Sequence, residues 1–209
     1  KFHPIVLEGV TGSGKTEVYF EAIEKILLQK KQALILLPEI SLTPQLEKRF
    51  KYRFGFSPDI WHSKVTEKNR KNTWHRCYQG KPMIVVGARS SLFLPFTNLR
   101  LIVVDEEHDL SFKQEDNIRY QARDLAVVKA QIEKFPILLS SATPSFETYN
   151  NIKKRKFAHL YLPSQFSGLK LPDIELINLQ NEKFEKNKWI SKRILETLKE
   201  CLKKDEQSL

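Results

Sequence analysis

The fold of this chain is decided by the stretch Gly9-Val10-Thr11-Gly12-Ser13-Gly14-Lys15-Thr16, which fits the pattern G-x-x-x-x-G-K-[ST] of a phosphate-binding loop. A short apolar run at residues 4–7 precedes it and predicts a buried strand. Apolar residues at helical spacing follow it at residues 18–27 and predict a helix. The stretch is therefore expected to connect a strand to a helix, which is the position in which this motif binds nucleotide phosphates.

Each residue type in the loop has a chemical role. Gly12 and Gly14 let the backbone curl so that successive N–H groups point at a phosphate. Lys15 is expected to place its ammonium on the β- and γ-phosphates, and Thr16 to offer its hydroxyl to Mg²⁺. ATP and Mg²⁺ are thus the expected ligands, whereas an accidental glycine turn would not explain the strand and helix on either side. The candidate ATP-binding residues are Gly9, Thr11, Gly12, Ser13, Gly14, Lys15 and Thr16.

Further apolar runs alternate with helical patterns or loops along the chain. Four more short runs predict buried strands, at residues 33–37, 83–86, 101–104 and 136–139. Residues 42–54 have the pattern of a helix. This alternation predicts an α/β fold, with a mainly parallel sheet flanked by helices.

One of the predicted strands ends in carboxylates. Residues 101–104 lead into Asp105-Glu106-Glu107-His108. Because open α/β sheets bind ligands at the C-terminal ends of their strands, we expect Asp105 to hold Mg²⁺ through water. Glu106 is expected to orient and deprotonate the attacking water, and His108 to connect the nucleotide site to its surroundings. The alternative is a solvated acidic loop. The candidate catalytic residues are Lys15, Asp105 and Glu106.

The positive charge of the chain favours a polyanionic partner. The net charge is +10, and residues 47–81 carry ten lysines and arginines against three acids. Aromatic residues lie among them, namely Tyr52, Phe54, Phe56, Trp61 and Trp74. Basic side chains neutralise phosphates and aromatic faces stack on unpaired bases, which indicates a nucleic-acid surface. A solvated basic surface with its aromatic side chains in the core remains an equal alternative.

Two further features bear on location. No apolar run approaches the 18 residues of a membrane span, so no membrane contact is expected. The two cysteines, Cys77 and Cys201, lack metal-ligand spacing, and free thiols are compatible with a cytoplasmic protein.

The sequence predicts a boundary near residue 162. Residues 1–162 are expected to form one nucleotide-binding motor domain. Residues 163–209 contain a linker-like stretch with Gly168 and Pro172, an alternating pattern at 174–179 and an amphipathic helix pattern at 189–203. We expect this part to be a linker and the start of an incomplete second domain. The first residue is not Met, and we therefore expect the chain to be a fragment.

Taken together, these motifs resemble those of superfamily 2 helicases. The phosphate loop matches motif I, the spelling D-E-E-H at 105–108 matches motif II, and Ser141-Ala142-Thr143 matches motif III. Three longer stretches are similar to the PriA-type helicases of replication restart. They are LLPEISLTPQ at residues 36–45, GARSSLF at 87–93 and DLSFKQ at 109–114 followed by RYQARD at 119–124.

The resemblance implies a RecA-like P-loop domain and an ATP-dependent 3′–5′ DNA helicase of replication restart. It further implies single-stranded and forked DNA as substrate, and partners among primosome and replisome proteins such as single-strand-binding protein. A second RecA-like domain, with an arginine that stabilises the transition state, and a cysteine-rich zinc insertion are expected outside this chain. Ser141, Ala142 and Thr143 are implied to couple the nucleotide state to the second motor domain.

Six residues are candidate DNA contacts by the same resemblance. They are Thr43, Gln45, Arg89, Phe112, Arg119 and Tyr120. Each also has an ordinary structural explanation: helix capping for Thr43, a surface ion pair for Arg89, and core packing for Phe112 and Tyr120.

Two other functions stay open at this point. Another superfamily 2 DNA repair translocase or helicase would share the three motifs, and sequence beyond this chain would separate it from the PriA type. A non-catalytic nucleic-acid-binding module is the other alternative, against which the intact Lys15, Thr16, Asp105 and Glu106 argue.

Overall fold

The computed structural model describes residues 2–38, 44–116, 118–164, 174–179 and 190–207. The chain divides into two compact units, Lys1–Leu169 and Lys170–Leu209. The helices and strands of the first unit are β1 (His3–Gly9), α1 (Lys15–Leu28), β2 (Gln32–Leu36), α2 (Pro44–Phe54), β3 (Asp59–Trp61), α3 (Glu67–Tyr78), β4 (Met83–Gly87), β5 (Leu99–Asp105), β6 (Lys113–Gln114), β7 (Tyr120–Gln121), α4 (Ala122–Glu133), β8 (Pro136–Ser141), α5 (Phe146–Lys153) and β9 (Ala158–Leu162).

A seven-stranded sheet forms the centre of this unit, with strand order β3-β4-β2-β5-β8-β1-β9. All its pairings are parallel. Strand β8 lies between β1 and β5, with Ser141 paired to Glu8 and Ser140 paired to Asp105. Three features therefore meet at the C-terminal end of the parallel strands: the loop after β1, the carboxylates at the end of β5 and the turn after β8.

Apolar side chains cover both faces of the central strands. Every residue of β2 and β4 is buried, as expected for strands enclosed by helices. On one face, α1 packs Tyr19, Phe20 and Ile23 against the sheet together with Phe50 of α2. On the other face, the small alanines of α4, such as Ala126, pack in one buried cluster with the sheet and Phe112. The two layers fix α1 and α4 against opposite faces of the sheet.

The predicted α/β fold with a parallel sheet is confirmed, and each of the five predicted strands is present. The sequence did not predict β3, β9 or the small antiparallel pair of β6 and β7. Strands β3 and β9 lie at the two edges of the sheet and are only partly buried. Edge strands of this kind lack the continuous apolar run that reveals a central strand.

The second unit contains helix α6 (Lys192–Lys203), which begins after the N-cap Ser191. This confirms the helix predicted for this part of the chain, although its predicted start at Trp189 lies outside the described residues. The predicted strand at 174–179 is wrong, because residues 174–178 form no strand. Alternating side chains do not make a strand unless the backbone also pairs with a neighbour, and the described residues give this segment no such ladder. Gly168 and Pro172 of the predicted linker lie outside the described residues.

The helices described here are too short or too polar to cross a membrane.

Candidate nucleotide-binding and hydrolysis site

The phosphate-binding loop connects β1 to α1, as the sequence predicted. Gly14 is the N-cap of α1 and has φ 89°, a left-handed conformation that L side chains rarely adopt. No side chain caps the helix there, so its first N–H groups are open to an anion. Gly9 is needed for a different reason, because a Cβ atom there would lie 2.5 Å from Ser13 Oγ and 2.9 Å from Leu162 Cβ.

Lys15 is buried at the mouth of this loop. Its Nζ donates a hydrogen bond to the Gly9 carbonyl at 2.7 Å and lies 3.4 Å from the Val10 carbonyl. Among the described residues, the Ser13 hydroxyl is buried without a hydrogen-bond partner. An ammonium, an orphaned hydroxyl and an uncapped helix start form a set of donors, and such a set fits a phosphate group.

Asp105 ends β5 and is held in a fixed orientation. Its Oδ1 accepts hydrogen bonds from the Ser140 hydroxyl at 2.7 Å and from the Glu106 N–H at 3.1 Å. Its Oδ2 accepts from the Tyr19 hydroxyl at 3.1 Å. Burial raises the pKa of Tyr19, and the neighbouring Asp105 carboxylate raises it further, so the phenol keeps its proton and remains a donor. An oriented carboxylate facing the phosphate loop suits a Mg²⁺ ion held together with Thr16.

Glu106 follows in the left-handed region, with φ 50°. Burial raises the pKa of Glu106, and the adjacent Asp105 carboxylate raises it further, while Lys15 lowers it. A carboxylate with a raised pKa is a better proton acceptor, which is the property expected of a general base.

His108 contacts Ser141, the first of the S-A-T residues. His108 Nδ1 lies 2.8 Å from Ser141 Oγ, and the same hydroxyl accepts a hydrogen bond from the Thr143 N–H at 3.0 Å. Ala142, between them, is partly buried. His108 Nδ1 is also 3.7 Å from Glu106 Oε2. One chain of polar contacts therefore runs from Glu106 to the turn after β8.

A cleft of about 1110 Å³ opens above the phosphate loop. The loop, Asp105 and Glu106 line one side, and α2 lines the other with Lys48, Arg49, Tyr52 and Arg53. Arg49 pairs with Glu17 of α1 at 2.8 Å, whereas the Tyr52 ring is 95% exposed. The rim of the cleft is thus basic and aromatic, and its residues come from the basic segment that the sequence singled out.

The structure places the candidate DNA contacts at different depths. Gln45 is exposed in the first turn of α2, and Arg119 is exposed before β7. Arg89 donates hydrogen bonds to the backbone carbonyls of Ser111 at 3.0 Å and Lys113 at 2.8 Å, so its guanidinium braces that loop. Thr43 lies outside the described residues.

The two aromatic candidates differ from each other. Phe112 is 1% exposed and belongs to the hydrophobic core, so its ring has the packing that was the structural alternative to a DNA contact. Tyr120 is partly buried, and its ring packs edge-on against Phe93 at 5.3 Å. Spacing alone favoured core packing for these aromatic residues, and it was the family resemblance that indicated contacts with DNA.

Four further residues in the site had no predicted role. Tyr19 and Ser140 orient Asp105. Glu107 and Arg123 form a buried ion pair at 3.0 Å. Both were quoted within motifs, yet a charged residue in a polar stretch gives no sign that it is buried.

Residues 2–152 match the family model described as DEAD/DEAH box helicase. The match covers the phosphate loop, the D-E-E-H turn and the S-A-T turn, and the chain belongs to this family. The resemblance to PriA-type helicases is also confirmed: the chain is 48% identical over 206 residues to "Replication restart protein PriA" of Rickettsia prowazekii (strain Madrid E), covering 99% of this chain and 32% of that protein. It is 46% identical to the PriA protein of Haemophilus influenzae, covering 100% of this chain and 28% of that one.

The chain thus spans about a third or less of the length of these relatives. Among solved structures, RecG bound to a three-way DNA junction matches with a TM-score of 0.56 at 20% identity, covering 79% of this chain and 21% of that one. At this level of identity the match supports the RecA-like fold and nothing finer. These matches give no support to a different superfamily 2 repair translocase.

Proposed function

We propose that this chain is the first motor domain of an ATP-dependent 3′–5′ DNA helicase of replication restart. The proposal rests on one observation: Lys15, Asp105 and Glu106 line the same cleft, at the end of the sheet where β1, β8 and β5 terminate. In this proposal residues 1–162 form the motor domain, and residues 163–209 are a linker and the start of a second RecA-like domain.

The residues in the cleft suit hydrolysis of the bond between the β- and γ-phosphates of ATP. The N–H groups at the start of α1 and the Lys15 ammonium hold the phosphates. Thr16 and Asp105 would hold a Mg²⁺ ion, which would supply positive charge to the phosphate oxygens. Glu106 takes a proton from the attacking water, the new bond forms to the γ-phosphorus, and ADP leaves with the electron pair of the broken bond.

Coupling follows the chain of contacts from Glu106 through His108 to Ser141 and Thr143. A change at the γ-phosphate alters Glu106 and His108 first, and the turn that contains Ala142 next. That turn carries the change to the second motor domain, whose arginine completes the catalytic site. Alternate opening and closing of the two domains then moves the protein along DNA.

The proposed substrates are single-stranded and forked DNA. The exposed Arg119, the partly exposed Tyr120 and the exposed Gln45 are the proposed contacts, with Thr43 two residues before Gln45 in sequence. Arg89 acts by bracing the loop at Ser111 and Lys113. The proposed location is the cytoplasm. The proposed partners are primosome and replisome proteins such as single-strand-binding protein, and a zinc insertion is proposed elsewhere in the full-length protein.

The proposal is tested first at nucleotide binding. Lys15→Ala removes a charged donor to the phosphates, and a hydrogen bond to a charged group contributes about 1.5–3 kcal/mol, so we expect the dissociation constant for Mg²⁺–ADP to rise about ten- to a hundredfold. A fluorescent ADP analogue measures it by titration. Lys31→Ala is the matched control, because Lys31 Nζ bonds Asn98 Oδ1 at 2.9 Å at the opposite end of the sheet. An unchanged constant in Lys15→Ala would leave a nucleic-acid-binding module without nucleotide chemistry as the better proposal.

A further inference from the structure

A buried ion pair, Glu107 with Arg123, lies next to the candidate catalytic carboxylates. The side chain of Glu107 is completely buried and that of Arg123 is 8% exposed, with Arg123 NH1 3.0 Å from Glu107 Oε2. Glu107 is the residue after the proposed base Glu106, and Arg123 is the second residue of α4. Charged groups are rarely this buried unless they are paired, and removal of one partner from such a pair is costly.

Glu107 is bonded on both carboxylate oxygens. Oε1 accepts a hydrogen bond from the Ser145 N–H at 2.8 Å. Oε2 accepts from Arg123, from the Thr148 hydroxyl at 3.0 Å and from the Ser145 hydroxyl at 3.3 Å. Ser145 is the N-cap of α5, so one carboxylate joins the D-E-E-H turn to the start of α5 and the start of α4.

Arg123 connects this carboxylate to the loop that carries the proposed DNA contacts. It lies two residues after β7, and β7 pairs antiparallel with β6; this pair is here called the β6–β7 hairpin. Its guanidinium also donates to the Ser145 hydroxyl at 2.7 Å and to Asp124 Oδ1 at 2.9 Å. The end of the hairpin is therefore fastened to the same point as the turn that contains Glu106.

The backbone of Glu106 needs such a support. Its φ of 50° is sparsely populated for a non-glycine residue and persists only where the surroundings over-determine it. Two backbone hydrogen bonds flank it, from Glu107 N–H to Ser140 O at 3.0 Å and from Asp109 N–H to Glu106 O at 2.8 Å. The buried Glu107 carboxylate, bonded to Arg123, Ser145 and Thr148, is a further contact on the residue next to it.

We propose that Glu107 and Arg123 are positioning residues that hold Glu106 in its left-handed conformation and join it to the β6–β7 hairpin. The inference rests on the proposed function, since it makes the geometry of the candidate base depend on the loop proposed to contact DNA. Neither residue touches the nucleotide in this proposal. A base displaced by about an ångström can lose on the order of a hundredfold in rate, so the pair acts on turnover rather than on binding.

The test compares three substitutions in the full-length protein. Glu107→Gln keeps the shape and removes the charge, and Arg123→Lys keeps the charge and removes the planar fork. Lys129→Gln is the matched control, because it breaks the 2.8 Å ion pair of Lys129 with Glu133 on the same helix, away from the turn. With saturating single-stranded DNA, we expect kcat for ATP hydrolysis to fall about ten- to a hundredfold in Glu107→Gln and by less in Arg123→Lys. The KM for ATP should stay within about threefold, because only an interaction made in turnover is lost.

Amide hydrogen exchange over residues 105–121 gives an independent measurement that needs no activity. Both variants of the pair should exchange faster there than the Lys129→Gln control, because the turn and the hairpin lose a common anchor. Unchanged exchange overturns the inference, as does a kcat per nucleotide-binding site that stays at the wild-type value. A wild-type protein that hydrolyses no ATP would instead overturn the proposed function, and hydrogen exchange would still decide on the pair. If Glu107→Gln does not fold, Arg123→Lys carries the same comparisons.

Discussion

Two polar regions lie at the same end of the sheet. One is the nucleotide cleft, and the other is the cluster of Glu107, Arg123, Ser145 and Thr148, here called the Glu107 cluster. They differ in whether their hydrogen-bond donors already have partners. In the cleft, α1 begins without a side-chain cap, and the Ser13 hydroxyl has no partner among the described residues. In the Glu107 cluster, by contrast, Arg123, the Ser145 N–H and the Thr148 hydroxyl all donate to the Glu107 carboxylate. A site that binds a ligand keeps donors open for it, whereas a site that fixes geometry satisfies its groups internally.

The largest expected effect concerns the open site. If the cleft is completed by an arginine from a second domain, this chain alone should hydrolyse ATP about 10³- to 10⁵-fold more slowly than the full-length protein, which is the contribution of an arginine finger in phosphoryl transfer. Asp105 and Glu106 can still bind Mg²⁺ and activate water, but the developing charge on the γ-phosphate is left uncovered on one side. Steady-state phosphate release with saturating single-stranded DNA measures both rates.

A Glu106→Gln variant shows whether a residual rate belongs to this site, because it keeps the shape of the side chain and removes the base. Rates within about threefold of each other for the chain and the full-length protein would show that the cleft is already complete. The contrast between an open cleft and a closed Glu107 cluster would then be lost.

The next effect compares two Arg–Glu pairs, one from each region. Arg123→Ala leaves Glu107 buried without its counter-charge, and we expect the free energy of unfolding to fall by about 3–5 kcal/mol. Arg49→Ala breaks the exposed pair with Glu17 at the rim of the cleft, where side-chain exposures are 48% and 60%, and we expect a loss of only about 0–1 kcal/mol.

Urea denaturation of this chain measures both differences. The slope of the free energy against urea concentration should be compared as well, because a change in slope means that compactness has changed rather than stability alone. Equal losses for the two arginines would contradict the distinction between the regions, since a buried and a solvated pair would then contribute alike.

The sequence predicted the cleft far better than the Glu107 cluster, and the reason is physical. Phosphate binding needs glycines, a lysine and a hydroxyl at fixed spacing along one loop, so Gly14 and Lys15 are recognisable without a structure. The Glu107 cluster depends on contacts between residues far apart in sequence, such as Glu107 and Thr148, which no local spacing reveals. Phe112 was proposed as a DNA contact by the family resemblance, and its burial in the core is a tertiary contact that a resemblance of motifs does not reveal.

Secondary structure shows the same division. The fully buried β4 was predicted from its continuous apolar run, whereas β9 was not predicted, because its residues are only half covered at the edge of the sheet. The apolar alternation at 174–179 was misleading, since pairing with a neighbouring strand decides whether such a segment becomes a strand.

The smallest expected effect separates cations that are free for DNA from cations already engaged within the fold. Lys64 and Lys68 are exposed in the basic segment of residues 47–81, and Lys64 lines a cleft of about 740 Å³ beside α3. If each neutralises one phosphate of a single strand, replacing both with Gln should reduce the slope of log K against log salt by about 1.4, since each phosphate contact contributes about 0.7. Fluorescence anisotropy with a labelled oligonucleotide, at salt concentrations between 50 and 200 mM, measures the slope.

Arg89→Gln is the informative control, because the guanidinium of Arg89 is bonded to the carbonyls of Ser111 and Lys113. Loss of this brace should weaken DNA binding through the shape of the loop, by a factor that is the same at every salt concentration. A slope that falls by about 0.7 in Arg89→Gln would show that its charge does neutralise a phosphate, as the sequence resemblance implied. An unchanged slope in the Lys64→Gln/Lys68→Gln variant would show that these two lysines neutralise no phosphate and that the DNA-binding surface lies elsewhere. Salt dependence supports this conclusion because it counts the phosphates neutralised and is insensitive to contacts without charge.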